Sequence, residues 1–202
     1  MNVNNPFYSV IIPARNSEAY IRKMLDSIKE QTFTDYELIV VCDSCTDNTA
    51  AIAREYTDLV YETDCGNDGL ARNIGLEHAT GEWVLFADDD DWWMHEFAFE
   101  MLSNVIRHAN ECDAVFFSLI KRTVGYIRQH ERYCDPLTAG HCWKRSFIGD
   151  TRFPASAYGS DNAFFYHMLR KEPEVVFWDN PLYYYNYMRE GSLSDRHEKG
   201  EI

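Results

Sequence analysis

No stretch of these 202 residues approaches the length of an apolar membrane span. Basic residues are in short supply: 19 Lys and Arg stand against 33 Asp and Glu, a formal charge of −14. Such a charge argues against a nucleic-acid or anionic-membrane surface, because both partners would be repelled. The opening MNVNNPFYSVIIP lacks the basic start and long apolar core of a secretory signal. Only Cys42 and Cys45, of six cysteines, sit at C-x-x-C spacing, and no second pair completes a zinc site. The thiols read as free, in a reduced, cytoplasmic chain. Glycine is missing from PARNSEAY, behind the first apolar run. That rules out the G-x-G-x-x-G turn of a nicotinamide oxidoreductase and the glycine-rich basic loop of a nucleotidyltransferase. Repeats, low-complexity tracts and linkers are also absent, and the length suits one domain.

What is present is alternation. FYSVII (7–12), YELIVVC (36–42), LVYET (59–63) and EWVLFA (82–87) read as buried strands, with Pro13 ending the first. Between them, 16–31 carries Ile21, Met24, Leu25 and Ile28 at helical spacing, with Asn16 or Ser17 as N-cap. Helices are also expected over 46–56, capped by Thr46 or Asp47, and over 68–80, ended by Gly81. The pattern predicts an α/β fold whose mostly parallel central sheet has helices on both faces. Further on, 96–109 reads as a helix with Ala98, Leu102, Val105, Ile106 and Ala109 inward. DAVFFSLI (113–120) is a strand, and 160–171 is a helix with Phe164, Phe165, Met168 and Leu169 inward. Strands follow at PEVVFW and PLYYYNY, while 121–158 mixes strands, loops and a short helix. The tyrosines Tyr183, Tyr184, Tyr185 and Tyr187 alternate as core and sheet-face residues rather than as a sugar-stacking platform.

In parallel sheets, ligands bind beyond the carboxyl ends of the strands. Asp88 to Asp91 follow the fourth strand there, ahead of Trp92 and Trp93, which bury the turn. A buried turn does not hold four unpaired charges. D-x-D carboxylates suit a hard divalent cation, Mg²⁺ or Mn²⁺, so the cluster reads as a metal site. Asp43 ends the second strand, where a carboxylate can accept from a base or a ribose. Gly66 and Gly69 permit close backbone approach, and Arg72, near a helix start, can meet a diphosphate or form a surface ion pair. Ser160 and Asp161 stand at a helix start, where either one can act as an N-cap.

Together SVIIPARN, DSCTD, GLARNIGLEHATGEW, FADDDDWW, CWKRSFI, RFPASAYGSDNAFF and PLYYYNYMREGSLS resemble, in order and spacing, the inverting glycosyltransferases of family 2, which have the GT-A fold. The resemblance covers nearly the whole chain. It implies a single GT-A domain, with a Rossmann-like nucleotide-sugar-binding half at 1–91 and an acceptor-binding half at 92–202. Pro13, Ala14, Arg15 and Asn16 would line the nucleotide site and Asp43 would hold the base, uracil in most relatives. Asp88 and Asp89 would sit near ribose and metal, and Asp90 would be the main ligand of Mn²⁺ or Mg²⁺, with Asp88 beside it. Asp161 would be the catalytic base. His197 could complete the metal site, as late histidines do in some relatives. This sequence departs from the family at Ser160, where many relatives carry Glu, at Arg15 for Tyr, and at Ser44 and Cys45 for Gly and Ser. The implied activity is metal-dependent transfer from a nucleoside-diphosphate sugar, of UDP type, to a glycan or lipid-linked acceptor in surface-polysaccharide synthesis, in the cytoplasm or at the inner face of the membrane as a peripheral contact. The rival is a sugar-nucleotide binding module without turnover, supported by Ser160.

Overall fold

The computed structural model describes residues 5–129, 134–156 and 159–200. The parts of the loosely read 121–158 segment at 130–133 and 157–158 lie outside them. The first half builds β1 (Tyr8–Ala14), α1 (Ile21–Lys29), β2 (Tyr36–Asp43), α2 (Thr49–Ala53), β3 (Val60–Thr63), α3 (Asp68–His78) and β4 (Trp83–Phe86). The second adds β5 (Trp92–Trp93), α4 (Ala98–His108), β6 (Ala114–Lys121), β7 (Gly125–Ile127), β8 (His141–Lys144), α5 (Arg145–Ile148), α6 (Ser160–Leu169), β9 (Val175–Tyr185) and α7 (Leu193–Glu198). The strands form one mixed sheet in the order β3-β2-β1-β4-β8-β6-β9-β5, with β7 on β6. Its first four strands are parallel, and β8 enters antiparallel between β4 and β6.

Strand alternation divides the core. Val10, Ile12, Leu38 and Val40 face α1, α2 and α4, while Ile11, Ile39 and Val41 face α3, α5 and α6. The helix stripe of α1 is buried as its spacing predicts, at Ile21, Met24, Leu25 and Ile28; on α6 Phe164, Phe165 and Met168 are buried and Leu169 only packs against the core. On α4, Val105 and Ala109 only pack against the core, and Phe99 and Ser103 take the buried places.

Several boundaries move. Pro13 does not end β1 but pairs with Val41 inside it; β4 stops opposite Ile11, so Pro13 has a neighbour on one side only. Neither Asn16 nor Ser17 caps α1, whose N-cap is Tyr20. Asn16 Oδ1 instead accepts the Thr46 N–H at 2.8 Å, from a left-handed backbone at φ 47°. Helix α2 is shorter than its pattern, and its N-cap is Asn48; Asp47 still accepts the Thr49 N–H at 3.0 Å. Helix α3 ends at His78, with Ala79 rather than Gly81 closing it. PEVVFW and PLYYYNY are one strand, β9, whose irregular register opposite Phe117 and Ser118 absorbs Pro181.

Candidate active site

The carboxyl ends of β1, β2 and β4 open onto a cleft of about 810 Å³. Pro13 to Asn16, Asp43, Arg72, Asp88 to Asp90 and Asp161 all line it, whereas Asp91 and His197 do not. The second half closes the far side with Lys121, Asp135, Tyr185, Tyr187 and Arg189.

The four aspartates after β4 have four different surroundings. Asp88 Oδ1 receives Arg72 Nη2 at 2.7 Å. Asp89 Oδ2 accepts the Arg15 N–H at 3.1 Å. Asp90 Oδ2 receives Arg189 Nε at 2.5 Å, and the Arg189 guanidinium lies 4.2 Å over the Tyr20 ring. Asp91 is fully buried and accepts the Asn186 N–H at 2.7 Å. The Tyr183 hydroxyl accepts the Asp88 N–H at 2.9 Å and so fastens β9 to this turn. The cluster is therefore not simply a metal cage: two members carry arginines, and Asp91 is a structural residue pointing away from the cleft.

Even so, the turn is short of positive charge. Burial, then the Asp90 charge, pushes the Asp89 carboxyl up to about 7. Burial also raises Asp90, with Arg189 opposing and Asp88 adding to the rise. Asp91 is raised well above the carboxylate range by burial and by Asp88 and Asp90. The cleft-lining carboxylates Asp88, Asp89 and Asp90 supply hard oxygen donors and repel each other, which fits a divalent cation in chemistry. Among the described residues no three His, Cys, Asp or Glu side chains converge on one point, and His197 is exposed on α7. An ion at Asp90 must therefore share or displace Arg189.

Arg72 departs most from its expected part. It is 3% exposed and gives its guanidinium to three carboxylates. Nη1 reaches Asp68 at 2.6 Å and Asp161 at 3.2 Å, and Nη2 reaches Asp88. Burial alone would lower Arg72, but Asp161, Asp88 and Asp68 together hold it above its ordinary value. With both Nη groups committed, Arg72 organises carboxylates rather than standing free for a diphosphate. Arg15, exposed and with no carboxylate partner for its side chain among the described residues, is freer to do so.

Asp161 sits in the first turn of α6, whose N-cap is Gly159 at φ 78°, with no side-chain cap. Neither Ser160 nor Asp161 is the cap. Burial pushes Asp161 up to about 6; Arg72 pulls it down, and Asp88 and Asp68 push it up. A carboxylate so placed suits proton abstraction near neutral pH. Asp43 has a second, structural task. Its Oδ1 accepts the N–H groups of Cys65 and Gly66, both at 2.9 Å, and the Ser44 hydroxyl at 3.1 Å. Oδ2 receives no hydrogen bond from the described residues, which leaves it for a ligand.

Sequence reasoning missed Asp68, Lys121, Asn186 and Arg189 as site residues. The D-x-x-x-R spacing of Asp68 and Arg72 carried a readable signal, because i,i+4 residues share a helix face. The other three follow strands and turns far along the chain and had none. Of the tyrosines, Tyr183 is core and Tyr184 stacks on Trp92 at 4.0 Å. Tyr185 and Tyr187 reach the cleft instead, with the Lys121 ammonium 4.0 Å from the Tyr187 ring.

Residues 9–176 match the family model described as Glycosyl transferase family 2. The chain is 26% identical to glycosyltransferase GlyA of Streptococcus pneumoniae over 217 residues, 92% of this chain and 31% of that one. It is 42% identical over 93 residues to the poly(ribitol-phosphate) beta-N-acetylglucosaminyltransferase TarS of Staphylococcus aureus, covering 42% of this chain and 16% of that one. The crystal structure of TarS 1–349 with UDP-GlcNAc superposes with a TM-score of 0.78 at 25% identity, over 93% of this chain and 60% of that one. The mannosyltransferase PcManGT of Pyrobaculum calidifontis, in complex with GDP-Man and Mn²⁺, shares the fold at a TM-score of 0.76 and 21% identity, over 98% and 62%. This chain thus spans about a third or less of those two curated relatives.

Proposed function

Because the chain belongs to glycosyl transferase family 2 and has the GT-A fold, we propose that it transfers a sugar from a UDP-sugar to an acceptor hydroxyl with inversion at the anomeric carbon. The observation that carries this is the placement of Asp161, a carboxylate raised to about 6, in the same cleft as Asp88 to Asp90 and Asp43. In this reading 1–91 binds the donor and 92–202 the acceptor. Pro13 to Asn16 flank the nucleotide, Asp43 Oδ2 accepts from its base or ribose, and Arg15 faces the diphosphate. Asp90, with Asp88 beside it, holds Mn²⁺ or Mg²⁺, which supplies charge neutralisation of the departing diphosphate. Asp161 takes the proton from the acceptor hydroxyl as that oxygen attacks the face opposite the leaving group. The acceptor is a glycan or lipid-linked chain of a surface polysaccharide, a class supported by TarS, whose name specifies a poly(ribitol-phosphate) acceptor.

Nucleotide release measured across UDP- and GDP-sugars with Mn²⁺ tests the donor. Asp161→Asn tests the base. Asn keeps shape and polarity but cannot take a proton, so transfer is expected to fall by about 10²–10⁴-fold with donor affinity unchanged. Equal transfer by the variant would remove Asp161 from the mechanism. Donor binding by the wild type without transfer or hydrolysis on a broad acceptor panel would favour a binding module.

A further inference from the structure

Asp68 has no part in the mechanism above, yet it holds the tightest contact of the Arg72 cluster. It opens α3 four residues before Arg72, and its Oδ2 takes Arg72 Nη1 at 2.6 Å. The same Nη1 stands 3.2 Å from Asp161 Oδ1. That second contact is an ion pair without a hydrogen bond: Asp161 Oδ1 is buried and no donor is aligned on it. One nitrogen thus faces two carboxylates and is aimed at Asp68. The Asp68 carboxylate is itself held from across the cleft floor, where the buried Ser160 hydroxyl lies 3.4 Å from both of its oxygens. Helices α3 and α6 meet closely enough for this, since a Cβ on Gly69 would stand 2.9 Å from Ser160 Cβ.

We infer that Asp68 is a positioning residue for Asp161: by taking the Arg72 Nη1 hydrogen, it keeps the guanidinium beside the base as a counter-charge but not hydrogen-bonded to it. A base locked onto an arginine is a weaker base, because an opposite charge in close contact stabilises its ionised form. The charged groups bearing on Asp161 are Arg72 and Asp68 from α3 and Asp88 from the turn after β4. With Asp68 neutral, one negative neighbour is lost and Arg72 is free to turn onto Asp161. Both changes act in the same direction, towards a more acidic Asp161. Asp68 touches neither donor nor acceptor in this scheme, which deepens the transferase reading and rests on it for its catalytic meaning.

The test is a carboxyl titration followed by magnetic resonance on metal-free protein carrying ¹³C-labelled aspartate. The Asp161 signal is identified by its loss in Asp161→Asn. In Asp68→Asn the Asp161 midpoint is expected to fall by about one pH unit or more, and Asp68→Glu is expected to restore most of it. On a donor that the wild type turns over, the acid limb of the nucleotide-release profile should move down with the midpoint. In the same variant kcat should fall about three- to tenfold, following the weaker base, with KM for donor unchanged. A midpoint that stays or rises in Asp68→Asn overturns the assignment, even if melting temperature drops, because Asp68 would then be only a carboxylate at a helix start. The two readings fail separately: unimpaired transfer in Asp161→Asn removes the base role, whereas the titration of Asp68→Asn still reads the geometry.

Discussion

Asp88 to Asp91 answer to different partners although they are neighbours in sequence. Asp91 has turned into the core, Asp88 into the Arg72 cluster, and Asp89 and Asp90 towards the cleft. The metal assignment therefore rests chiefly on Asp90, and it implies competition with Arg189 for the same carboxylate. Asp90→Ala is expected to abolish the part of UDP affinity that depends on Mn²⁺ and to leave the metal-independent part in place. Calorimetric titration of UDP with and without Mn²⁺ measures both parts. Unchanged metal dependence in the variant would place the ion elsewhere. Asp43 illustrates the converse: a residue read for ligand binding also fastens the loop at Cys65 and Gly66, so its truncation would mix two effects.

Helix α3 is the element on which the site depends most. Its start presents Asp68, its second turn presents Arg72, and its buried side packs on β1 and β2. The approach to β1 is set by Gly75, where an added Cβ would lie 2.3 Å from Ile11 Cγ2. Ile11 is fully buried in a central strand and has nowhere to go. Gly75→Ala is thus expected to destabilise the fold by about 1–3 kcal/mol through overpacking, despite the better helix propensity of alanine. Urea unfolding followed by far-ultraviolet circular dichroism measures this. A stabilised variant would mean that α3 can lift away from β1 at little cost. If α3 is displaced, Arg72 and Asp68 move with it, and Asp88 and Asp161, on two other elements, lose their common counter-ion.

At the scale of the whole molecule the cleft divides the chain's two halves, with strand ends on one side and Lys121, Asp135, Tyr185, Tyr187 and Arg189 on the other. A donor held by residues brought together from separate strand ends binds the folded state alone. UDP with Mn²⁺ at about one hundred times Kd should add about 2.7 kcal/mol of stability. For a domain of 202 residues that corresponds to a rise in Tm of roughly 5–10 °C. Thermal melts with UDP, Mn²⁺, both and neither would show it, and an absence of any rise with both would count against donor binding by this chain. No helix among the described residues is long and apolar enough to cross a membrane.

By itself the sequence determined the alternation of β1 to β4 with α1 to α3, the helix stripes of α1 and α6, and the edge of the sheet at which polar residues gather. These follow from periodicity and from the geometry of parallel strands, which act locally. It also marked the candidate set: Pro13 to Asn16, Asp43 and Asp88 to Asp90 by their place at strand ends, Arg72 and Asp161 by their place near helix starts, and the set together by the family resemblance. Tertiary structure alone decided how those residues divide their charges. Arg72 becomes a buried hub only because α6 carries Asp161, 89 residues later, back against α3. Arg189 meets Asp90, and Asn186 meets Asp91, only because β9 pairs with β5 beside the turn. Pairings across such separations depend on sheet order and on the register shift within β9, and neither leaves a periodic trace in the chain.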